Sequence, residues 1–232
     1  MRLLAYQIPK DPTRDRWEAE VLDDKHLHVL HNFWPVPAAS GKGMDILTAS
    51  YEGVGLLTRD PSRRESAWTY RRIGAGNQDN PRGSRGASEV KQGRLKNGRR
   101  YIATIEPWHG HQVVVYTPPD DPTKLWDRHV IDDRLKWGHA VWCADLDGDG
   151  DEELIIGVRD DLSQKPGERR GVRIYKALDG KGTKWSRHVI EDGGVAVEDL
   201  AAADLNGDGR VDLVAAGRQT HNLRIYWNEG AK

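Results

Sequence analysis

A duplication limits what this chain can become more than any other feature. The run Ala144-Asp145-Leu146-Asp147-Gly148-Asp149-Gly150, continued by Glu153-Leu154-Ile155-Ile156-Gly157, returns 59 residues later as Ala203-Asp204-Leu205-Asn206-Gly207-Asp208-Gly209, continued by Asp212-Leu213-Val214-Ala215-Ala216. The shift carries Asp145, Asp147, Asp149 and Glu153 onto Asp204, Asn206, Asp208 and Asp212. Oxygen ligands at positions 1, 3, 5 and 9, with glycines between them to permit the bend, suit a hard cation, so Ca2+ is expected at both loops. An EF-hand would need a bidentate Glu at position 12 and a helix on each side. Position 12 is Ile156 in one copy and Ala215 in the other. Each loop also runs into an apolar phrase that reads as a buried strand, so the EF-hand fails.

The duplication is part of a longer period. Trp17, Trp68, Trp126 and Trp185 open four related phrases at spacings of 51, 58 and 59. The clearest are Trp126-Asp-Arg-His-Val-Ile131 and Trp185-Ser-Arg-His-Val-Ile190. Each unit also has a phrase after its metal-loop position, as in Glu153-Leu-Ile-Ile-Gly157, and a closing phrase, as in Gly171-Val-Arg-Ile-Tyr175. These runs are short, β-branched and aromatic, and bounded by Gly, Pro and Asp turns. With the strand ahead of the loop, that makes four strands per repeat, and nothing has the periodicity of a substantial helix. Four-stranded units repeated radially describe an all-β propeller, here of about four blades or the C-terminal part of a larger ring. One domain spans 1–232, with 1–22 closing a preceding blade and repeats at 23–73, 74–131, 132–190 and 191–232. The chain opens on a third strand and closes on a third strand. Open edges of that kind predict self-association or further blades, unless the first fourth-strand closes a four-bladed ring.

Composition excludes several classes. A net charge of −1 argues against nucleic acid as a partner. The 11 Lys and Arg between Arg63 and Arg100 read as a solvated loop face. No apolar run approaches the roughly 20 residues of a membrane span. No secretory leader precedes Arg2-Leu3-Leu4, so the sequence leaves the compartment open. Cys143, the sole cysteine, excludes an intrachain disulfide and reads as a buried filler.

The Asp-x-Asp-x-Asp-Gly loops resemble FG-GAP/VCBS repeats, the units of integrin-type and many bacterial β-propellers. Three further phrases resemble the propeller of the aldos-2-ulose dehydratase family: His31-Asn-Phe-Trp-Pro35, Ile105-Glu-Pro-Trp-His-Gly110, and Trp137-Gly-His-Ala-Val-Trp-Cys-Ala-Asp-Leu-Asp-Gly-Asp-Gly150. That resemblance implies dehydration of a keto-sugar on a metal-bearing propeller, in a family whose members are often exported. The chain departs from the family in lacking cupin domains, so an isomerase activity is not expected.

Superposing the repeats by arithmetic locates the candidate chemistry. His139 shifts back by 108 onto His31 and forward by 59 onto Glu198, while a shift of 55 from His31 meets Gly86. These positions lie where an outer strand hands over to the innermost one, hence near the ring axis. His31, His139 and Glu198 have the donors that zinc or another divalent metal takes, and three protein ligands with an open position make a catalytic site. The turns on the same face contribute Tyr51, Glu106, His109 and Arg159 as catalytic candidates, with His109 placed to fill the gap at Gly86. Trp34, Trp108, Trp137 and Trp142 crowd that face and suit sugar stacking or core packing. His129 and His188 occupy equivalent outer-strand positions and read as structural, and His26 and His28 as loop residues. The leading functional expectation is a carbohydrate-active lyase that eliminates water or a glycosidic substituent beside a carbonyl. The alternative is a non-catalytic propeller that binds glycan or protein through the same face.

Overall fold

In a computed structural model, which describes residues 1–60, 62, 68–160 and 165–230, the short β-branched phrases become 17 strands in five antiparallel sheets. Arg63, Arg64 and Glu65, at the head of the basic stretch, lie outside the described residues. The first sheet pairs β1 (Leu3–Gln7) with β2 (Glu18–Asp23). Three complete four-stranded blades follow. They are β3 (Leu30–Pro37), β4 (Met44–Ser50), β5 (Gly53–Arg59) and β6 (Trp68–Gly74); then β7 (Glu89–Arg94), β8 (Arg100–Glu106), β9 (Gln112–Thr117) and β10 (Asp127–Asp132); then β11 (Gly138–Ala144), β12 (Glu153–Val158), β13 (Gly171–Ala177) and β14 (Trp185–Val189). The last sheet has three strands, β15 (Val197–Ala203), β16 (Asp212–Gly217) and β17 (Asn222–Tyr226). No described helix is long and apolar enough to cross a membrane. The β1–β2 sheet is separate from the β15–β17 sheet, so β2 does not close the last blade into a four-bladed ring.

From the first complete blade onward the sheets stack face to face, with one apolar cluster in each of three seams. Leu47, Val54, Val90, Ile102 and Val114 join the first two complete blades. Ile105, Val115, Val141, Leu154 and Ile156 join the second to the third, and Ile155, Val172, Val197 and Leu213 join the third to the three-stranded sheet. Innermost strands meet along the axis, where β7 packs between β3 and β11, and β11 against β15.

Buried polar groups tie the outer strands to these seams. The Tyr116 hydroxyl donates to Glu106 Oε1 at 2.6 Å, and Arg128 of β10 pairs with Glu106 Oε2 at 2.7 Å. One blade on, Tyr175 donates to Asp132 Oδ2 at 2.8 Å, and Arg187 of β14 pairs with the same oxygen at 2.8 Å. Burial works to raise the Asp132 pKa, but the hydrogen bonds from Tyr175 and Arg134 and the charge of Arg187 outweigh it and hold the carboxyl below its ordinary value. A depressed carboxylate contributes stability above its unfolded pKa of about 3.9 and loses it as pH falls through the folded value. Asp132→Asn leaves the half-buried Arg187 without its carboxylate and should cost about 1–3 kcal/mol at neutral pH. Urea unfolding across pH should show the gap between wild type and variant narrowing below about pH 4.

Candidate functional site

Three innermost strands carry an extra residue at the same level. Pairing of β3 with β4 slips between Leu30 and Asn32, that of β11 with β12 between Gly138 and Ala140, and that of β15 with β16 between Val197 and Asp199. The residues squeezed out of register are His31, His139 and Glu198. A β-bulge of this kind re-aims one side chain while the rest of the strand keeps its alternation. β7 pairs regularly with β8. Its residue beside His31 is Glu89, which the 55-residue shift missed because that shift lands in the preceding loop, where Gly86 bridges to Asn77.

The bulges bring two imidazoles together, and a turn adds a third. His109 sits between β8 and β9 with φ of 48°, a left-handed conformation that a side chain adopts only at a cost. Its ring centroid lies 4.5 Å from that of His31 and 4.8 Å from that of His139, and the last two are 5.6 Å apart. One nitrogen from each of the three lies within 4.8 Å of the others. The outer nitrogens are anchored to neighbouring blades. His31 Nδ1 sits 2.9 Å from both the Ser88 carbonyl and Glu89 Oε1, and His139 Nδ1 sits 2.6 Å from the Glu198 carbonyl. An Nδ1–H donated to a carbonyl fixes the tautomer and leaves the Nε2 lone pair for the centre, the usual arrangement of metal-ligating histidines. His31 Nε2 and His109 Nε2 meet at 2.6 Å. Burial first, then the positive charges of His31 and His139, push the His109 pKa down to about 4. Burial disfavours charge on His31 too, but the hydrogen bond and charge of Glu89 outweigh it and raise that pKa. The donor set, anchored from behind and facing inward, fits a borderline divalent ion.

The other expected residues fall around this set at different depths. The Glu198 carboxylate stands outside the imidazole cluster, 3.9 Å from His139 Nε2 and 3.7 Å from both Arg159 Nη1 and Arg218 Nη1. Arg159 is also held by Asp160 at 3.1 Å. It lines a cavity of about 480 Å³ shared with Asp79, Asn80, Trp108, His109, His111 and Trp137. Tyr51 packs edge-on against Trp108 at 5.0 Å under Arg85. Glu106 does not reach the cavity: it is fully buried in the Tyr116–Arg128 network. His129 and His188 meet Thr117 and Ser186 at 3.0 Å, while His26 and His28 pair with Asp23 and Glu52. Lys91, expected on a solvated face, is buried 3.9 Å over the Trp34 ring and 5.6 Å from that of Trp142. Cys143 is a free thiol that burial pushes up to about 12.

At the opposite end of the innermost strands, the duplicated loops differ. In the first, Gly148 and Gly150, with φ of 76° and 89°, turn their N–H groups onto the two oxygens of Asp145 at 2.8 and 3.0 Å. One oxygen each of Asp145, Asp147 and Glu153 lies within 4.8 Å of the others. Glu153 is 3 % exposed and its Oε1 has no hydrogen-bond partner, while burial and the charge of Asp147 push the carboxyl up to about 7. Lys176 leans onto Asp147 and onto Asp149 at 3.0 Å. A buried orphan oxygen facing other carboxylates fits a hard cation. In the second loop both Asp212 oxygens are already met, by the N–H groups of Leu205 at 3.0 Å and Asn228 at 2.8 Å, and Arg210 is bound to Asp208 at 2.5 Å. Asp204, Asn206, Asp208 and Asp212 form no comparable cluster among the described residues.

Radially stacked four-stranded sheets with Asp loops between the first and second strands define a β-propeller of FG-GAP-like repeats, and residues 145–215 match that repeat. The chain belongs to the family of the aldos-2-ulose dehydratase β-propeller domain, which matches residues 1–119. It is 31% identical over 234 residues to the aldos-2-ulose dehydratase of Phanerodontia chrysosporium, covering 91% of this chain but 25% of that protein. A solved structure of a candidate exo-β-1,3-galactanase from Bifidobacterium bifidum is 12% identical, with a TM-score of 0.46 over 96% of this chain and 76% of that one.

The backbone of His109 supplies a test independent of any ligand. In chelator-treated protein, His109→Gly should be more stable than His109→Ala by about 1 kcal/mol, because glycine alone takes the left-handed conformation freely. Equal urea midpoints would show that the turn relaxes when the imidazole is gone.

Proposed function

We propose that this propeller carries the elimination site of a metal-dependent, dehydratase-type carbohydrate lyase, with a divalent ion on His31, His109 and His139. The observation that carries the reading is the pair of anchored Nδ1 atoms, which leaves the lone pairs of His31 and His139 facing a third imidazole beside an open cavity. The named activity of the Phanerodontia relative agrees with it, although the chain spans about a quarter of that protein. An ion held there would act as a Lewis acid on a substrate oxygen.

The remaining work falls to side chains of the cavity wall. Trp108 and Trp137 offer aromatic faces to a sugar ring, and Asp79 and Asn80 offer hydrogen-bonding groups to its hydroxyls. His111 is the cavity imidazole outside the three-histidine cluster. It takes a proton from carbon beside the carbonyl, a hydroxyl leaves with that proton as water, and a carbon–carbon double bond remains. Arg159 holds the negative charge that develops on oxygen, and Glu198 orients Arg159. Tyr51 supports Trp108 from behind. On the other face, calcium occupies the Asp145–Asp147–Glu153 loop and stabilises the blade, with the Asp204–Asp212 loop the weaker of the two.

Incubation with a keto-sugar should give an unsaturated product seen by ultraviolet absorbance. His139→Ala should lose both the bound transition metal, measured by elemental analysis, and the absorbance change, while circular dichroism stays unchanged. Sugar binding without any absorbance change, in metal-replete wild type, would move the reading to a binding module.

Calcium has a separate readout. At free calcium 100 times its dissociation constant, one site contributes about 2.7 kcal/mol. Calcium should therefore raise the melting temperature of chelator-treated wild type and of Asp208→Asn, and raise that of Glu153→Gln much less, through the weaker loop alone. An equal rise in all three would show that the first loop is not the site.

A further inference from the structure

Resting on the calcium reading of the Asp145–Asp147–Glu153 loop, we propose that Lys176 is a tethered competitor of that ion, an ammonium that calcium must displace and that sets how much calcium the loop needs. Register puts it there. Tyr175 of β13 pairs with Leu154 of β12, so the next residue of β13, Lys176, stands level with Glu153. In the other blades the corresponding pairs are Leu57 with Ile46, Tyr116 with Ile102 and Tyr226 with Leu213, and the residues that follow are Thr58, Thr117 and Trp227. Of these four corresponding positions one holds a cation, and it lies in the blade where Glu153 keeps a buried oxygen without a hydrogen-bond partner.

Lys176 and an ion would claim the same oxygens. The ammonium is bound to Asp147 Oδ2 and lies 3.0 Å from Asp149 Oδ2. Asp147 is also one of the three residues whose oxygens gather within 4.8 Å of one another, with Asp145 and Glu153. Glu153 Oε2 accepts the N–H of Leu146 at 2.8 Å, and Oε1 is met by neither backbone nor lysine. The lysine thus covers the outer carboxylates and leaves the inner oxygen to a metal. A hard cation draws its oxygens to about 2.3–2.6 Å, which would set two positive charges side by side on Asp147 if the ammonium stayed. Lys176 can leave, because its side chain is 36% exposed and ends a flexible stem. Lys96 makes the useful contrast: it holds Asp151 Oδ2 at 3.2 Å, on a carboxylate outside the three-residue group, and can remain when an ion enters. Either cation relieves the repulsion among the loop carboxylates, so calcium replaces an internal counter-charge that the fold already supplies.

Calorimetric titration of chelator-treated protein tests this, with Asp208→Asn as the background so that the first loop is read alone. Adding Lys176→Met should tighten calcium binding at least about threefold, while adding Lys96→Met, which removes the same charge from beside the loop, leaves it close to the background. In wild type, calcium should speed acetylation of Lys176 by an amine-reactive ester, read by peptide mass spectrometry against Lys96, because displacement frees the amine. Unchanged or slower labelling of Lys176, or calcium binding no tighter with Lys176→Met than with Lys96→Met, would overturn the proposal and leave calcium at the loop. No calcium binding in any of these proteins would remove the loop reading itself, and the proposal with it.

Discussion

The site depends on one backbone device, the single extra residue on β3, β11 and β15. A strand alternates its side chains strictly, so a residue cannot both serve a seam and face the axis. Inserting one residue resolves the conflict locally. His31, His139 and Glu198 turn toward the centre while Leu47, Ile156 and Leu213 on the paired strands stay in their seams. The regular β7 shows the alternative: it contributes no axial imidazole, but Glu89 from the side braces His31, and the His109 turn covers the remaining gap.

The two faces of the propeller follow different rules. On the axial face, imidazoles are held by carbonyls and a carboxylate and gathered beside tryptophans, a chemistry suited to borderline metals and ring-shaped ligands. At the other end of the same strands, carboxylates are folded around backbone N–H groups of glycine-rich turns, which suits hard cations. Sequence duplication made the two Asp loops look alike. Their difference is set by whether backbone amides have already met the last carboxylate, as they have at Asp212 and have not at Glu153 Oε1.

Much of this was legible in the sequence. The Trp-led period gave the blade count and the strand order, and the 59- and 108-residue shifts aligned His31, His139 and Glu198, because residues that share a bulge keep a constant offset. The same arithmetic failed at the second blade, whose lead-in to β7 differs in length and whose innermost strand lacks the bulge, so it found Gly86 and missed Glu89. Spacing also says nothing about depth. Glu106 and Arg159 both lie on turns of the same face, yet one is sealed under Tyr116 and Arg128 while the other lines the cavity. Lys91 was hidden by its basic neighbours, since only the fold sets it between Trp34 and Trp142.

Each axial imidazole is anchored by the following blade, His31 by Ser88 and Glu89 and His139 by the carbonyl of Glu198. The pocket is thus a strain gauge for the seams. A slippage of the last sheet too small to register as unfolding would release His139 and let its ring swing, while His31 stayed clamped. The spacing of the imidazoles and the docking of the blades are then one mechanical variable, and the rings would disengage in order from the C-terminal end.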